Sequence, residues 1–210
     1  MLKINNLLKK YWNKTILDIK SLEIDPGITH LKGINGSGKT TFSKIVSGII
    51  PFKGELWLDN TLSPTKTKVA YRKAVNYSAS EPSYPDFLTA NDLISFVGKA
   101  KEASKNDLTT IPEIFGVNLY QNEPIGTYSS GMLKRLSLCL AFLGNPTLIL
   151  LDEPFNTLDT AAIDMLKILI ETHHQKGVNF ILVSHQDIQT LGMNAHATFL
   201  VENHTITLVK

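Results

Sequence analysis

With one cysteine in 210 residues, Cys139, the chain cannot close an internal disulfide, which fits a reducing compartment. Cys139 lies in an apolar helical run and reads as core rather than as a nucleophile. No apolar run approaches the roughly 18 residues that a bilayer crossing takes. The stretch Met1-Leu2-Lys3-Ile4-Asn5-Asn6 lacks the hydrophobic region of a signal peptide. The expectation is a soluble, cytoplasmic chain whose membrane association, if any, comes through a partner. Charge of one sign is also missing: a net +2 predicts no nucleic-acid footprint. No internal repeat or low-complexity tract is found. What is present is ordinary for a globular protein, 43% hydrophobic and 19% charged, and long enough to bury one sizeable core.

The most specific stretch is Gly33-Ile34-Asn35-Gly36-Ser37-Gly38-Lys39-Thr40-Thr41. It follows an alternating apolar run, Ile28 to Lys32, and opens onto Phe42-Ser43-Lys44-Ile45-Val46, which has helical spacing. Strand, glycine-rich loop and helix in that order have the spacing of a Walker A phosphate loop. Glycines let successive backbone N–H groups turn inward as an anion nest, and the helix N-terminus adds partial positive charge. Lys39 can then reach the β- and γ-phosphates, and the Thr40 hydroxyl can ligate Mg²⁺. The pattern predicts a nucleoside triphosphate site.

Residues 2–8 and 15–24 alternate as half-buried strands do, and Tyr11-Trp12 falls in the turn between them, where an aromatic pair reads as a surface cluster covering the sheet edge. Gly48 and Pro51 end the first helix, and Glu55 to Leu58 reads as a strand. Residues 61–73 read as a solvated loop or a short helix, Ala74 to Tyr77 as a strand, and Ser78 to Asp86 as a loop. From Leu88 the composition becomes helical. Thr89 can cap a helix from Ala90 to about Lys101, and further helical pieces run to about Tyr120. Residues 80–130 are therefore expected to be a helical insertion in one alternating α/β domain spanning 1–210.

Ser129 begins another helix, stopped by Gly144-Asn145-Pro146. Leu148 to Leu151 is a continuous apolar run suited to a parallel strand covered on both faces, and it ends in Asp152-Glu153. A long helix from about Thr160 to Lys176 leads to a second buried run, Phe180 to Val183, which ends in Ser184-His185. His173 and His174, late in that helix, read as structural. Residues 197–202 and 205–209 form a C-terminal hairpin.

Ligands of a parallel sheet bind beyond the carboxyl ends of its strands. If the three strands that end in the phosphate loop, in Asp152-Glu153 and in Ser184-His185 are neighbours, their chemistry converges on one edge. Four apolar residues followed by Asp-Glu is a Walker B pattern, with Asp152 as a hard oxygen donor toward Mg²⁺ and Glu153 able to take a proton from an attacking water. By itself His185 is as readily a surface residue as a ligand.

Taken together, these motifs resemble the nucleotide-binding subunit of ATP-binding-cassette (ABC) transporters, over nearly the whole chain. Tyr128-Ser129-Ser130-Gly131-Met132 stands where that family's Leu-Ser-Gly-Gly-Gln signature belongs. The resemblance implies a P-loop NTPase of ABC-cassette type: a mixed, mainly parallel α/β core sheet, an N-terminal antiparallel β part and a helical subdomain. It implies that Gly33, Asn35, Gly36, Ser37, Gly38, Lys39, Thr40 and Thr41 bind ATP, with Tyr11 stacked on adenine. Lys39, Glu153 and His185 would carry the hydrolysis, His185 contacting the γ-phosphate. Ser129, Ser130 and Gly131 would close over ATP held by a second subunit, and Asp159 would meet that subunit. One copy of each motif then implies a head-to-tail homodimer with ATP and Mg²⁺ between the chains, and an integral membrane permease as the other partner. The chain would sit in the cytoplasm, peripheral to the inner (plasma) membrane.

Two departures from the family pattern stand out. Ser80, followed by Glu81, occupies the place of a glutamine that ligates the metal, and serine is shorter. The signature carries Ser130 for glycine and Met132 for glutamine. The compact length and this signature resemble small export-type cassettes, including the haem exporters of cytochrome c maturation. A soluble cassette ATPase acting on DNA or ribosomes is the alternative, against which stand the near-neutral charge and the absence of a long coiled coil or a second cassette.

Overall fold

The computed structural model describes residues 1–209. The chain opens with β1 (Leu2–Tyr11), β2 (Lys14–Ile24) and β3 (Ile28–Lys32), followed by α1 (Lys39–Val46) and β4 (Lys53–Leu58). Next come α2 (Lys68–Ala74), β5 (Val75–Ser78), α3 (Ala90–Ala100) and α4 (Asp107–Ile114). The second half holds α5 (Ser130–Ala141), β6 (Leu148–Asp152), α6 (Thr160–Gln175), β7 (Asn179–Val183), β8 (Ala197–Glu202) and β9 (Thr205–Leu208). The strands form two sheets: an antiparallel one ordered β2-β1-β4, and a larger one ordered β5-β6-β7-β3-β8-β9. All pairs of the larger sheet are parallel except β8 with β9.

The continuous apolar runs of the sequence follow from burial on both faces of this sheet. In β6, Leu148 and Leu150 face one core, while Ile149 and Leu151 face the other. In β7, Ile181 and Val183 go with the first pair, and Phe180 and Leu182 with the second. Side chains alternate across a strand, so a core on each face favours apolar residues in succession. The first core takes in Phe42, Ile45 and Val46 of α1 and the inner residues of the antiparallel sheet, among them Leu2, Ile4, Leu17 and Ile19. The second holds α3, α5 and α6 through Ile94, Leu136, Leu140, Leu166 and Ile170.

The helix at 90–100 starts at a capping box: the Thr89 side chain accepts from the Asp92 N–H, and the Asp92 carboxylate accepts from the Thr89 N–H. Between α4 and α5 lie two short 3₁₀ turns, Val117–Leu119 and Ile125–Thr127. Asn203 and His204 both take positive φ in the β8–β9 turn, as a tight hairpin of that hand requires. Among the described residues, no helix is long and apolar enough to cross a membrane.

Some boundaries differ from the sequence expectation. β1 runs on to Tyr11, so Tyr11 closes the strand against Lys14 instead of lying in the turn, and Trp12, at φ 53°, turns the corner together with Asn13. The cause is a register shift between Lys9 and Lys10, which lets pairing continue where alternation in the sequence breaks down. Within 61–73 a short helix does form, from Lys68. Its Tyr71 is fully buried with its hydroxyl donating to the Val46 carbonyl. The following strand is one residue later than its apolar pattern suggested, Val75–Ser78.

Candidate active site

Because β7 pairs with β3 on one side and with β6 on the other, the phosphate loop, Asp152-Glu153 and Ser184-His185 leave the sheet side by side. β5 lies next to β6, so the chain beyond Ser78 reaches the same edge. A cleft of about 590 Å³ opens there. Asn35, Gly36, Gly38, Lys39, Thr40 and Thr41 line it together with Ser80, Glu81, Glu153 and His185. Ile16, Asn156 and Thr157 complete the lining without any signal in the sequence that singled them out.

The loop's geometry depends on glycine at two points. Gly38 takes φ 110°, and a Cβ there would come within 3.1 Å of Leu17. At Gly33 a Cβ would lie 2.7 Å from the Val201 carbonyl oxygen. Any side chain would therefore push the loop off β8 or off β2. Lys39 is 93% buried, and its Nζ donates to the carbonyls of Gly33 and Ile34 at 2.7 and 3.0 Å. The ammonium is thus held inside the loop's own curve, at the N-terminus of α1, where an anion is favoured.

Asp152 is fully buried. The Tyr77 hydroxyl donates to its Oδ2 at 3.3 Å, while Oδ1 has no hydrogen-bond partner. Burial raises its pKa above the usual carboxylate range, opposed by the Thr40 hydroxyl, the Lys134 ammonium and the Tyr77 hydroxyl. An orphaned carboxylate oxygen beside a threonine hydroxyl is a hard donor set, and it fits a divalent cation such as Mg²⁺ that takes its remaining ligands from phosphate and water. Among the described residues no cluster of three or more His, Cys, Asp or Glu stands as a metal cage.

Glu153 and His185 meet directly. His185 Nδ1 lies 3.0 Å from Glu153 Oε1, and the His185 backbone N–H donates to the same oxygen at 3.1 Å. Glu153 itself takes φ 45°, a left-handed conformation that a non-glycine residue holds only under constraint.

Other sequence candidates lie apart from this cleft. Tyr11 is 45% exposed, with the Lys9 ammonium 4.7 Å from its ring centroid, and it does not line the cleft. Ser129 caps α5 by accepting from the Met132 N–H at 3.2 Å, and with Ser130 it is exposed at that helix N-terminus. Gly131 packs against the Thr157 backbone, 3.3 Å from where a Cβ would sit. Asp159 caps α6 through the Ala162 N–H at 2.8 Å and pairs with Arg135 at 2.6 Å. Those contacts hold its pKa below the usual range, the Ala162 N–H foremost. Ser37 is drawn inward: its Oγ is buried without a partner.

Sequence reasoning passed over Lys134. It is 99% buried, and its Nζ donates to the carbonyls of Ala79 and Asp152. Burial lowers its pKa to about 8 against the pull of the Asp152 and Glu153 carboxylates.

Comparison with known proteins gives one consistent family. The family described as "ABC transporter" matches residues 17–156. The lantibiotic transport ATP-binding protein SrtF of Streptococcus pyogenes is 31% identical over 193 residues, covering 88% of this chain and 80% of that protein. The cytochrome c biogenesis ATP-binding export protein CcmA of Legionella pneumophila is 28% identical over 190 residues, covering 90% of this chain and 94% of that protein. Among solved structures, an ATP-binding subunit of an ABC transporter superposes with a TM-score of 0.89 at 22% identity, covering 100% of this chain and 90% of that one.

Proposed function

The chain belongs to the ABC transporter family as an ATP-binding, ATP-hydrolysing subunit, and from that membership we propose that two copies clamp head to tail around ATP and drive a separate membrane-spanning permease, in the direction of export. The observation that carries the reading is the Glu153–His185 pair, lining the same cleft as Lys39 and Thr40.

In this reading the loop N–H groups from Asn35 to Thr41 and the Lys39 ammonium hold the β- and γ-phosphates, and Tyr11 stacks on adenine. Thr40 and Asp152 would hold Mg²⁺, with Ser80 as a further candidate donor. The ion's part is to neutralise charge on the transferring phosphoryl group. Glu153 accepts a proton from the attacking water, and His185 fixes the carboxylate while its own ring faces the terminal phosphate. Ser129, Ser130 and Gly131 cover the ATP of the opposite chain, the exposure of the two serines at a helix N-terminus supporting an anion contact from outside. Asp159 meets the opposite chain as well, sharing its carboxylate with Arg135.

A groove of about 620 Å³ between α1, α2 and α3 supports the permease reading. Ile49, Val69 and Phe96 are exposed on it at 57, 75 and 73%, and Arg72, Lys73 and Lys101 also line it. That is apolar surface suited to an amphipathic segment. The name of the SrtF relative supports transport, and that of the CcmA relative supports export.

The test is membrane recovery. The native chain should sediment with membranes and release with detergent, and Phe96→Asp should remain soluble while hydrolysing ATP at the native rate. A native chain that stays wholly soluble in its host, yet hydrolyses ATP, favours the non-transport alternative.

A further inference from the structure

The peptide unit joining Asp152 to Glu153 is pinned at both of its polar atoms. The Glu153 N–H donates to the Val183 carbonyl at 2.8 Å, and the Asp152 carbonyl accepts from Lys134 Nζ at 2.7 Å. The residue that follows, Glu153, holds the positive φ noted above, and such a backbone persists only where its surroundings fix it. Val183 belongs to β7, a rigid neighbour in the sheet. Lys134 belongs to α5, whose first turn carries Ser130 and Gly131. The same ammonium also donates to the Ala79 carbonyl at 2.9 Å, and Ala79 precedes Ser80 in the cleft wall.

Packing does not account for Lys134. Withdrawing a lysine's charge from water is costly, and a methionine of similar shape would fill the same space without that cost. What the ammonium adds is several donors on one atom, enough to hold two carbonyls from two different strand ends. A second tie, between the Ser78 and Ser137 hydroxyls at 2.9 Å, already anchors α5 to the end of β5. Among the described residues, Lys134 alone hydrogen-bonds from an α5 side chain to the Asp152–Glu153 segment.

We propose that Lys134 is a positioning residue for ATP hydrolysis, fixing the Asp152–Glu153 peptide to the helix that begins with the signature so that displacement of the helix moves the Glu153 carboxylate in the cleft. It touches no atom of ATP and acts through Glu153. The inference rests on the assignment of Glu153 as the base.

The experiment compares the parent, Lys134→Met, Lys134→Gln, Glu153→Gln and the Lys134→Met/Glu153→Gln double variant, measuring ATP affinity, steady-state kcat and KM, and single-turnover hydrolysis. Lys134→Met should lower kcat at least tenfold, with KM and Kd within about threefold of the parent. Lys134→Gln, whose amide keeps a donor for one carbonyl, should fall between. In the Glu153→Gln background the methionine should lower the residual rate by less than about twofold, because no carboxylate remains to be positioned. A kcat for Lys134→Met within twofold of the parent, or a loss that multiplies in full onto Glu153→Gln, overturns the proposal. Should Lys134→Met not fold, Lys134→Gln alone and combined with Glu153→Gln gives the same two readings. Normal turnover by Glu153→Gln with intact Lys134 would instead remove the base assignment, a distinct result.

Discussion

The Glu153 carboxylate and the His185 imidazole share one oxygen: Oε1 is 3.0 Å from the ring Nδ1 and accepts the His185 backbone N–H at 3.1 Å. Two contacts on a single oxygen orient the carboxylate and leave its other oxygen out of any side-chain hydrogen bond among the described residues. A base held in this way needs little reorganisation to take a proton.

Replacing Glu153 by glutamine keeps the shape and removes the basicity. ATP binding should stay within a few-fold of the parent, while turnover falls roughly 10²–10⁴-fold. Phosphate release under saturating Mg-ATP checks this, and near-normal turnover would exclude Glu153 as the base.

Lys39 is the one cation that the loop encloses, held by the Gly33 and Ile34 carbonyls. Lys39→Ala should weaken ATP binding at least about tenfold, the scale of losing a charged hydrogen bond to phosphate. Titration with a fluorescent ATP analogue reads it, and undiminished affinity would refute the site.

His30 in β3 is 99% buried with Nε2 unpartnered, and burial lowers its pKa below 6.5 against the opposing pull of Asp187. As pH falls through about 6.5 the unfolded chain takes up a proton there that the folded chain does not, so stability is lost toward acid. Thermal melts from pH 7.5 to 5.5 should show Tm falling more steeply for the parent than for His30→Leu. Parallel curves would show that His30 is not the group responsible.

Cys139 is fully buried, and burial pushes its thiol up to about 12. Without thiolate or access, alkylation by iodoacetamide at pH 8 should proceed only in denaturant. Rapid labelling of the folded chain would contradict this environment.

The parts of this site that the sequence made legible are those whose chemistry is local. A phosphate loop spells itself out in nine consecutive residues from Gly33 to Thr41, and Asp152-Glu153 and Ser184-His185 are marked by the apolar runs they end. The buried strands could be read because a core on each face makes Leu148 to Leu151 and Phe180 to Val183 unbroken apolar runs. Lys134 was hidden because its partners are 18 and 55 residues away, and an isolated lysine on a helix ordinarily points to water. Tyr77, whose hydroxyl reaches Asp152 across 75 residues, was hidden for the same reason. Thr157 carries a positive φ that no side-chain pattern foretells. The extent of β1 was misjudged because a register shift breaks alternation without ending the strand.

The account depends most directly on ATP holding two chains together, and sedimentation velocity of the Glu153→Gln variant measures that. With ATP and Mg²⁺ the variant should sediment at twice the chain mass, and adding Lys39→Ala or removing nucleotide should return it to a monomer. A variant that binds ATP yet stays monomeric at every concentration would contradict the account.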